Sequence, residues 1–230
     1  MKNNIVIISG GANGLGLELV KILHKKGYFV CNIDKDEKAL KIVDKAFSTN
    51  YKSFLGNVAD ESFIISTTQK IRKLGNIVAL FNNAGTPVFK MPTEYSSNDV
   101  DLCFEGLKGM IYLSANTLKV MEKNGGKIIN IMSSAALRGN KQESVYCATK
   151  WAERGYTESL KACYNGSKVQ VYGVYPGGIN TNFYKNSRDY VSKEKQSTFM
   201  PAKDLAEVIY ENIFSKKKLI VEDLIINRIK

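Results

Sequence analysis

Short apolar segments alternate with segments of helical periodicity along nearly the whole chain, and no other feature limits the possible folds as strongly. Residues 4–9 are rich in β-branched side chains, and apolar residues then recur at helical spacing over residues 15–23. The same pair of patterns repeats towards the carboxyl terminus. Parallel strands need helical crossovers of this kind, so the sequence predicts an α/β fold, a doubly wound parallel sheet of Rossmann type covered on both faces.

The boundaries of these elements follow from the patterns. Strands are predicted at residues 4–9, 29–33, 51–55, 77–81, 127–132, 169–175 and 224–227. Helices are predicted at residues 15–27, 37–47, 61–73, 98–123, 145–163 and 204–214. A chain of 230 residues is long enough for one well-buried α/β domain and short for two, so residues 1–230 are interpreted as a single domain.

Composition excludes several classes of chemistry. The four cysteines are scattered without Cys-x-x-Cys spacing, and His24 is the single histidine, so we expect no disulfide framework, no metal site and no histidine triad. Apolar runs are far shorter than a membrane span of about 20 residues, and no signal sequence opens the chain. We therefore expect a cytoplasmic protein that does not enter a membrane.

The net charge of +11 raises the question of an anionic partner. Lysines are spread along the chain and mostly interleave with acidic residues, and Lys216, Lys217 and Lys218 form the only tight basic run. This distribution favours a solvated basic surface that attracts an anionic cofactor over specific binding of nucleic acid.

A glycine-rich turn lies between the first strand and the first helix. Gly10 permits a tight turn there, and Gly14 and Gly16 allow close approach of the backbone. Backbone amides at such a helix N-terminus suit a pyrophosphate. Asp34 ends the second strand, at about the spacing expected for a carboxylate that accepts hydrogen bonds from an adenosine ribose and repels a 2′-phosphate. We expect NAD as the preferred cofactor, with NADP possible because Lys35 is adjacent.

Tyr146 and Lys150 stand four residues apart in a helical segment, which places both side chains on one helix face. A phenol has an ordinary pKa of about 10, and a neighbouring ammonium lowers that pKa. The pair therefore predicts a tyrosine that exchanges a proton with an alcohol or a carbonyl compound. The alternative for this short pattern is a surface tyrosine beside a lysine.

Taken together, these motifs resemble the short-chain dehydrogenase/reductase family over nearly the whole chain. The glycine turn, Asn57-Val58, Asn82-Asn83-Ala84-Gly85, Ser133 before Tyr146, and the segment Pro176 to Thr181 follow one another in the family's order. The resemblance implies that Tyr146 is the general acid/base, that Lys150 lowers its pKa, and that Ser133 binds the substrate oxygen. It also implies cofactor contacts from Gly10, Asn13, Gly14, Leu15, Gly16, Asp34, Asn57, Val58, Asn83, Ala84, Gly85, Tyr146, Lys150, Pro176, Gly177, Ile179 and Thr181.

One position departs from the family's pattern. Where the family usually has an asparagine in the long central helix, this chain has Gly106, or Glu105 if the alignment is shifted by one residue. In the family this residue positions, through its main-chain carbonyl, a water that relays protons to the lysine. Glycine keeps the carbonyl, so the resemblance implies that a relay survives in altered form.

Two further expectations come from the resemblance. Residues 182–200, which are rich in aromatic and basic side chains, are expected to form a lid over the substrate. The long central helix and the helix with Tyr146 are expected to form a homodimer or homotetramer, with Trp151 either in that contact or turned into the core.

The sequence therefore predicts an NAD(P)-dependent oxidoreductase that interconverts a secondary alcohol and a ketone, or reduces an aldehyde. Its substrate is expected to be a small carbonyl or alcohol compound. The alternative is a nucleotide-binding regulatory or scaffold protein with the same fold and little or no catalysis.

Overall fold

The computed structural model describes residues 3–185, 190–214 and 219–229. Its strands are β1 (Asn3–Ser9), β2 (Phe29–Asp34), β3 (Tyr51–Leu55), β4 (Gly75–Asn82), β5 (Gly126–Ile131), β6 (Val169–Pro176), β7 (Ile179–Asn180), β8 (Met200–Pro201) and β9 (Asp223–Ile226). Its α-helices are α1 (Gly14–Lys25), α2 (Glu37–Ala46), α3 (Glu61–Arg72), α4 (Ser97–Asn124), α5 (Ser144–Tyr164), α6 (Lys193–Ser197) and α7 (Ala202–Ile213). The Lys216–Lys218 run and Arg188 of the expected lid lie outside the described residues.

The main sheet has seven strands in the order β3-β2-β1-β4-β5-β6-β9, and all of its neighbouring pairs are parallel. The predicted doubly wound parallel sheet in a single domain is therefore confirmed. After β1 the chain moves outwards to β3 and then returns to pair β4 with the other side of β1. Strand order reverses at this point, and in such sheets the crevice outside the carboxyl ends of the reversing strands binds ligands.

Strand β1 shows why both faces of the sheet are covered. Val6 and Ile8 are buried in the core cluster that contains residues of α1 and α7. Ile5 and Ile7 point to the opposite face and are buried with residues of α3, α4 and α5. Successive side chains of a strand point to opposite faces, so a run that is apolar at every position fits a sheet between two helical layers.

The segment after β6 has more regular structure than its sequence indicates. Ile179 and Asn180 of β7 pair with Met200 and Pro201 of β8 in a small separate sheet. Within the expected lid, α6 is capped by the hydroxyl of Ser192, which accepts a hydrogen bond from the Lys195 amide at 3.2 Å.

Within the described part of the chain, no helix is both long enough and apolar enough to cross a membrane.

Candidate active site

The glycine turn connects β1 to α1 and leaves the start of that helix open. Gly10 has a φ of +69°, a conformation that favours glycine. A Cβ on Gly16 would lie 2.0 Å from the carbonyl oxygen of Gly10, so only glycine fits where α1 crosses the turn. The N-cap residue Asn13 makes no side-chain capping bond, and the first turn carries no acidic residue. The first amides of α1 are therefore free to bind an anion.

The carboxylate of Asp34 is fixed at the end of β2. One oxygen accepts a hydrogen bond from the Ala12 amide at 2.9 Å, and the other accepts one from the Asp36 amide at 3.0 Å. Asp34 thus ties the end of β2 to the glycine turn.

Glu105 of α4 forms hydrogen bonds with Asn57, which follows β3, and with Lys35, which follows β2. Its carboxylate accepts hydrogen bonds from the Asn57 amide group at 2.7 Å and from the Lys35 ammonium at 2.6 Å. Lys35, which the sequence places next to Asp34, lines the cavity and forms an ion pair with Glu105. Glu105 was considered only as an alignment alternative to Gly106, and no local pattern links it to Lys35, which lies 70 residues away.

The residues after β4 close the glycine turn from the other side. The Asn83 side chain donates to the carbonyl oxygens of Ser9 at 3.1 Å and Gly10 at 3.0 Å. The hydroxyl of Ser9 accepts hydrogen bonds from the amides of Asn83 and Ala84. The two loops therefore form one rigid wall.

Ser133 and Tyr146 come together although they lie on different elements. Ser133 follows β5, and its hydroxyl accepts a hydrogen bond from the Ala135 amide at 3.1 Å. Tyr146 is in the first turn of α5, where its buried ring packs edge-on against Phe89 with 5.4 Å between centroids. Both residues line the same cavity, and the Ser133 hydroxyl lowers the pKa of Tyr146.

Burial raises the pKa of Tyr146 well above its ordinary value. The hydrogen bond with Ser133 opposes this change, and the negative charge of Glu153 adds to it. Burial is the largest cause of this shift, and the ammonium of Lys150 is paired with Glu153, 2.8 Å away.

Lys150 lies beneath the site and is held by Glu153. The ammonium nitrogen is 2.8 Å and 3.0 Å from the two carboxylate oxygens, and it lies 5.6 Å from the centroid of the Tyr146 ring. Glu153 is 1% exposed, and burial raises its pKa while the charge of Lys150 opposes that rise. Sequence reasoning missed Glu153. The i,i+3 spacing from Lys150 was visible, but a glutamate in a helix usually marks a solvated face.

Gly106 lies directly beside this ion pair. A Cβ at this position would be 2.9 Å from the carbonyl oxygen of Ala84 and 3.6 Å from a carboxylate oxygen of Glu153. The backbone of α4 therefore packs directly against the loop after β4. The carboxylate of Glu153 lies next to Gly106 on the same side of the helix.

A single cavity of about 400 Å³ unites these features at the carboxyl ends of the strands. Of the predicted site residues, all but Gly16 line it: Gly10, Asn13, Gly14, Leu15, Asp34, Asn57, Val58, Asn83, Ala84, Gly85, Ser133, Tyr146, Lys150, Pro176, Gly177, Ile179 and Thr181. Gly16 instead packs α1 against the turn. Phe183 and Tyr184 from the expected lid also line the cavity.

The parallel sheet with a glycine turn at its reversal point is the architecture of dinucleotide-binding α/β proteins. The family model described as short chain dehydrogenase matches residues 4–191, and the chain belongs to this family.

Individual relatives share the sequence and the fold. The 3-oxoacyl-(acyl-carrier-protein) reductase FabG of Rickettsia typhi is 30% identical over 178 residues, which are 76% of this chain and 73% of the relative. The closed form of serine dehydrogenase complexed with NADP+ superposes with a TM-score of 0.90 at 21% identity, covering 97% of this chain and 94% of that one. ElxO with bound NADP has a TM-score of 0.85 at 25% identity, with coverages of 97% and 96%.

Proposed function

We propose that the protein is a nicotinamide-dependent oxidoreductase that interconverts a secondary alcohol and a ketone, or reduces an aldehyde. The observation that carries this proposal is the cavity shared by the open N-terminus of α1 and the hydroxyl residues Ser133 and Tyr146. The first feature suits a dinucleotide pyrophosphate, and the second suits proton exchange at a substrate oxygen.

Each residue of the centre has a distinct role in this proposal. When bound, the nicotinamide would supply the acceptor or donor of hydride at the substrate carbon. Tyr146 gives its proton to the developing alkoxide in reduction and removes the hydroxyl proton in oxidation. Ser133 donates a hydrogen bond that fixes the reacting oxygen. Burial raises the pKa of Tyr146, which favours the protonated phenol that gives its proton in reduction.

The residues present fit a dinucleotide. The uncapped first turn of α1 offers amide donors, and the wall made by Asn83 and Ser9 keeps the glycine turn narrow. The relative ElxO, at 25% identity, is known with NADP bound, which supports a nicotinamide dinucleotide in this chain. We favour NAD over NADP because Asp34 lines the cavity and Lys35 is paired with Glu105.

Residues 182–200 act as the lid over the substrate in this proposal. Phe183 packs against Tyr146 with 6.3 Å between ring centroids, and its amide is bound by the Thr181 hydroxyl at 3.2 Å. These contacts bring the start of the segment onto the centre where chemistry would occur.

The test is a panel of ketones, aldehydes and secondary alcohols, each combined with NAD(H) or NADP(H), while the absorbance of the reduced nicotinamide is followed. We expect turnover of at least one compound, with reactions lacking protein or substrate as controls. Binding of a cofactor without turnover of any compound would favour the regulatory or scaffold protein. Absence of both binding and turnover would contradict both functions.

A further inference from the structure

A second, smaller cavity of about 190 Å³ lies against Ser133 and Tyr146. Phe89, Glu143, Tyr184 and Tyr190 contribute to its walls. Because the two hydroxyl residues line both cavities, a substrate that hydrogen-bonds to them would extend into this smaller space. Its volume limits that part of the substrate to a small group.

The buried charged group that lines this cavity is a carboxylate. Glu143 is 7% exposed and immediately precedes α5. Its oxygens accept hydrogen bonds from the Asn140 side chain at 2.9 Å and the Tyr190 hydroxyl, with the Cys147 sulfur at 3.9 Å. A carboxylate offers about four acceptor positions, so there is room for a further donor.

Within the described residues, Glu143 has no ion-pair partner. Lys195 lines the same cavity but is exposed and does not pair with Glu143. Burial raises the pKa values of Tyr146, Tyr184 and Tyr190, and the negative charge of Glu143 raises them further. Among the described residues, the buried charge of this cavity is therefore negative, and a buried carboxylate is more favourable when a cation pairs with it.

The remaining walls suit a cation as well. The ring of Phe89 lies 4.5 Å from that of Tyr190 and 5.9 Å from that of Tyr184, measured between centroids. Aromatic faces attract ammonium groups, most strongly where water is excluded. A carboxylate inside an aromatic enclosure is the combination that recognises a protonated amine rather than an anion or a long alkyl chain.

We propose that the substrate is a small amino alcohol, or the corresponding amino ketone, whose protonated amine binds Glu143 while its oxygen binds Ser133 and Tyr146. This inference rests on the proposed oxidoreductase function. In oxidation a bound nicotinamide would accept a hydride from the carbinol carbon, the hydroxyl proton would pass to the phenolate form of Tyr146, and the ammonium group would keep its protons. The amine thus contributes to binding and does not take part in the redox step.

The test compares 1-amino-2-propanol with 2-butanol, which replaces the ammonium group by a methyl group of similar size. Oxidation is followed at a pH at which the amine is protonated. We expect kcat/KM to be about tenfold or more higher for the amino alcohol, as for a hydrogen bond to a charged group. Glu143→Gln should reduce this preference about tenfold, whereas Glu207→Gln, an exposed change on α7, should leave it unchanged.

If Glu143→Gln does not fold, the ratio of kcat/KM for 1-amino-2-propanol to that for 2-butanol in the wild type decides whether the amine site exists. Equal rates for the two alcohols, faster oxidation of 2-butanol, or a preference that survives in Glu143→Gln would overturn the amine site. If neither alcohol reacts but another compound of the panel does, the amine site is wrong and the oxidoreductase function stands. If no compound reacts at all, both proposals are wrong.

Discussion

The ion pair of Lys150 and Glu153 determines the electrostatics at the centre of the site. Both residues are buried, and their charged atoms are 2.8 Å apart at the closest. Removing one partner of a buried pair leaves the other charge without compensation, which is strongly unfavourable. Glu153 therefore compensates the buried charge of Lys150 and fixes the position of the lysine next to Tyr146.

Replacing Glu153 by glutamine tests this contribution. We expect Glu153→Gln to lower the free energy of unfolding by about 3–5 kcal/mol, because the Lys150 cation is left buried. Glu158→Gln on the same helix removes a glutamate whose side chain is 50% exposed and should change it by less than about 1 kcal/mol. Urea denaturation measures both variants. Similar small losses in the two would show that Lys150 does not depend on Glu153.

Asp34 is expected to set the choice of cofactor. Its carboxylate is held by two backbone amides at the end of β2, so it cannot swing away from a 2′-phosphate without losing both bonds. We expect NAD(H) to bind about tenfold or more tightly than NADP(H), a difference of about 1.4 kcal/mol. Asp34→Ala should reduce that ratio, and the exposed change Asp101→Ala should not. Titration of each cofactor measures the ratio, and tighter binding of NADP(H) to the wild type contradicts it.

Sequence patterns identified the residues that line the cavity but not the buried or paired glutamates Glu105 and Glu153 that contact them. Asp34, Ser133 and Tyr146 were found because each stands at a recognisable interval from a glycine turn or another motif. Glu105 and Glu153 were not given roles, because their partners or their burial depend on how α4 and α5 pack on the sheet. The pKa of Tyr146 could not be predicted for the same reason, since burial is its largest cause.

At the scale of elements, the close contact between α4 and the loop after β4 depends on a residue without a side chain. A Cβ at Gly106 would approach the Ala84 carbonyl oxygen to 2.9 Å, and that oxygen belongs to the backbone. Gly155 in the middle of α5 has no atom within 4 Å of such a Cβ. Gly155 is therefore a matched control for substitutions at Gly106, since both are glycines within a helix but only Gly106 is in close contact with another backbone.

We expect the two alanine substitutions to have opposite effects on stability. Gly106→Ala should lower the free energy of unfolding by about 1–3 kcal/mol, because the helix or the loop must shift. Gly155→Ala should raise it by up to about 1 kcal/mol, because alanine is the better helix former and nothing obstructs it. Thermal and urea unfolding provide the comparison, and stabilisation by both substitutions would contradict the close contact at Gly106.

The predicted strands of the main sheet and the predicted helices that cover it agree with the structure to within a few residues, because their apolar periodicity is strong. Helix α4 was predicted at residues 98–123 and spans Ser97–Asn124, with a capping box formed by Ser96 and Asp99. The short pair β7 and β8 and the five-residue helix α6 were missed. Elements this short have no measurable period and form through contacts distant in sequence.

At the scale of the whole molecule, the outer faces of α4 and α5 carry large apolar side chains. Trp151 on α5 is 48% exposed and Ile111 on α4 is 37% exposed. Of the two positions considered for Trp151, the structure supports the one at the surface. A contact between subunits through these two helices stays a prediction.

A charge at Trp151 is expected to disrupt that assembly. The wild type should sediment as a dimer or tetramer at micromolar concentration, and Trp151→Glu should shift it towards the monomer. Ile42→Glu on α2, where the side chain is 72% exposed, is the control and should leave the assembly unchanged. A wild type that sediments only as a monomer would contradict this expectation.

The central claim is that Tyr146 transfers the proton at the substrate oxygen, and Tyr146→Phe tests it most directly. Phenylalanine keeps the ring that packs against Phe89 but removes the hydroxyl. We expect turnover to fall about 10²–10⁴-fold, the range for general acid-base catalysis, while cofactor affinity stays nearly unchanged. Tyr164→Phe, which removes the hydroxyl bound to Glu122 at the other end of α5, should keep wild-type turnover. Near wild-type turnover by Tyr146→Phe, measured with the best compound of the panel, would mean that the proton comes from another group.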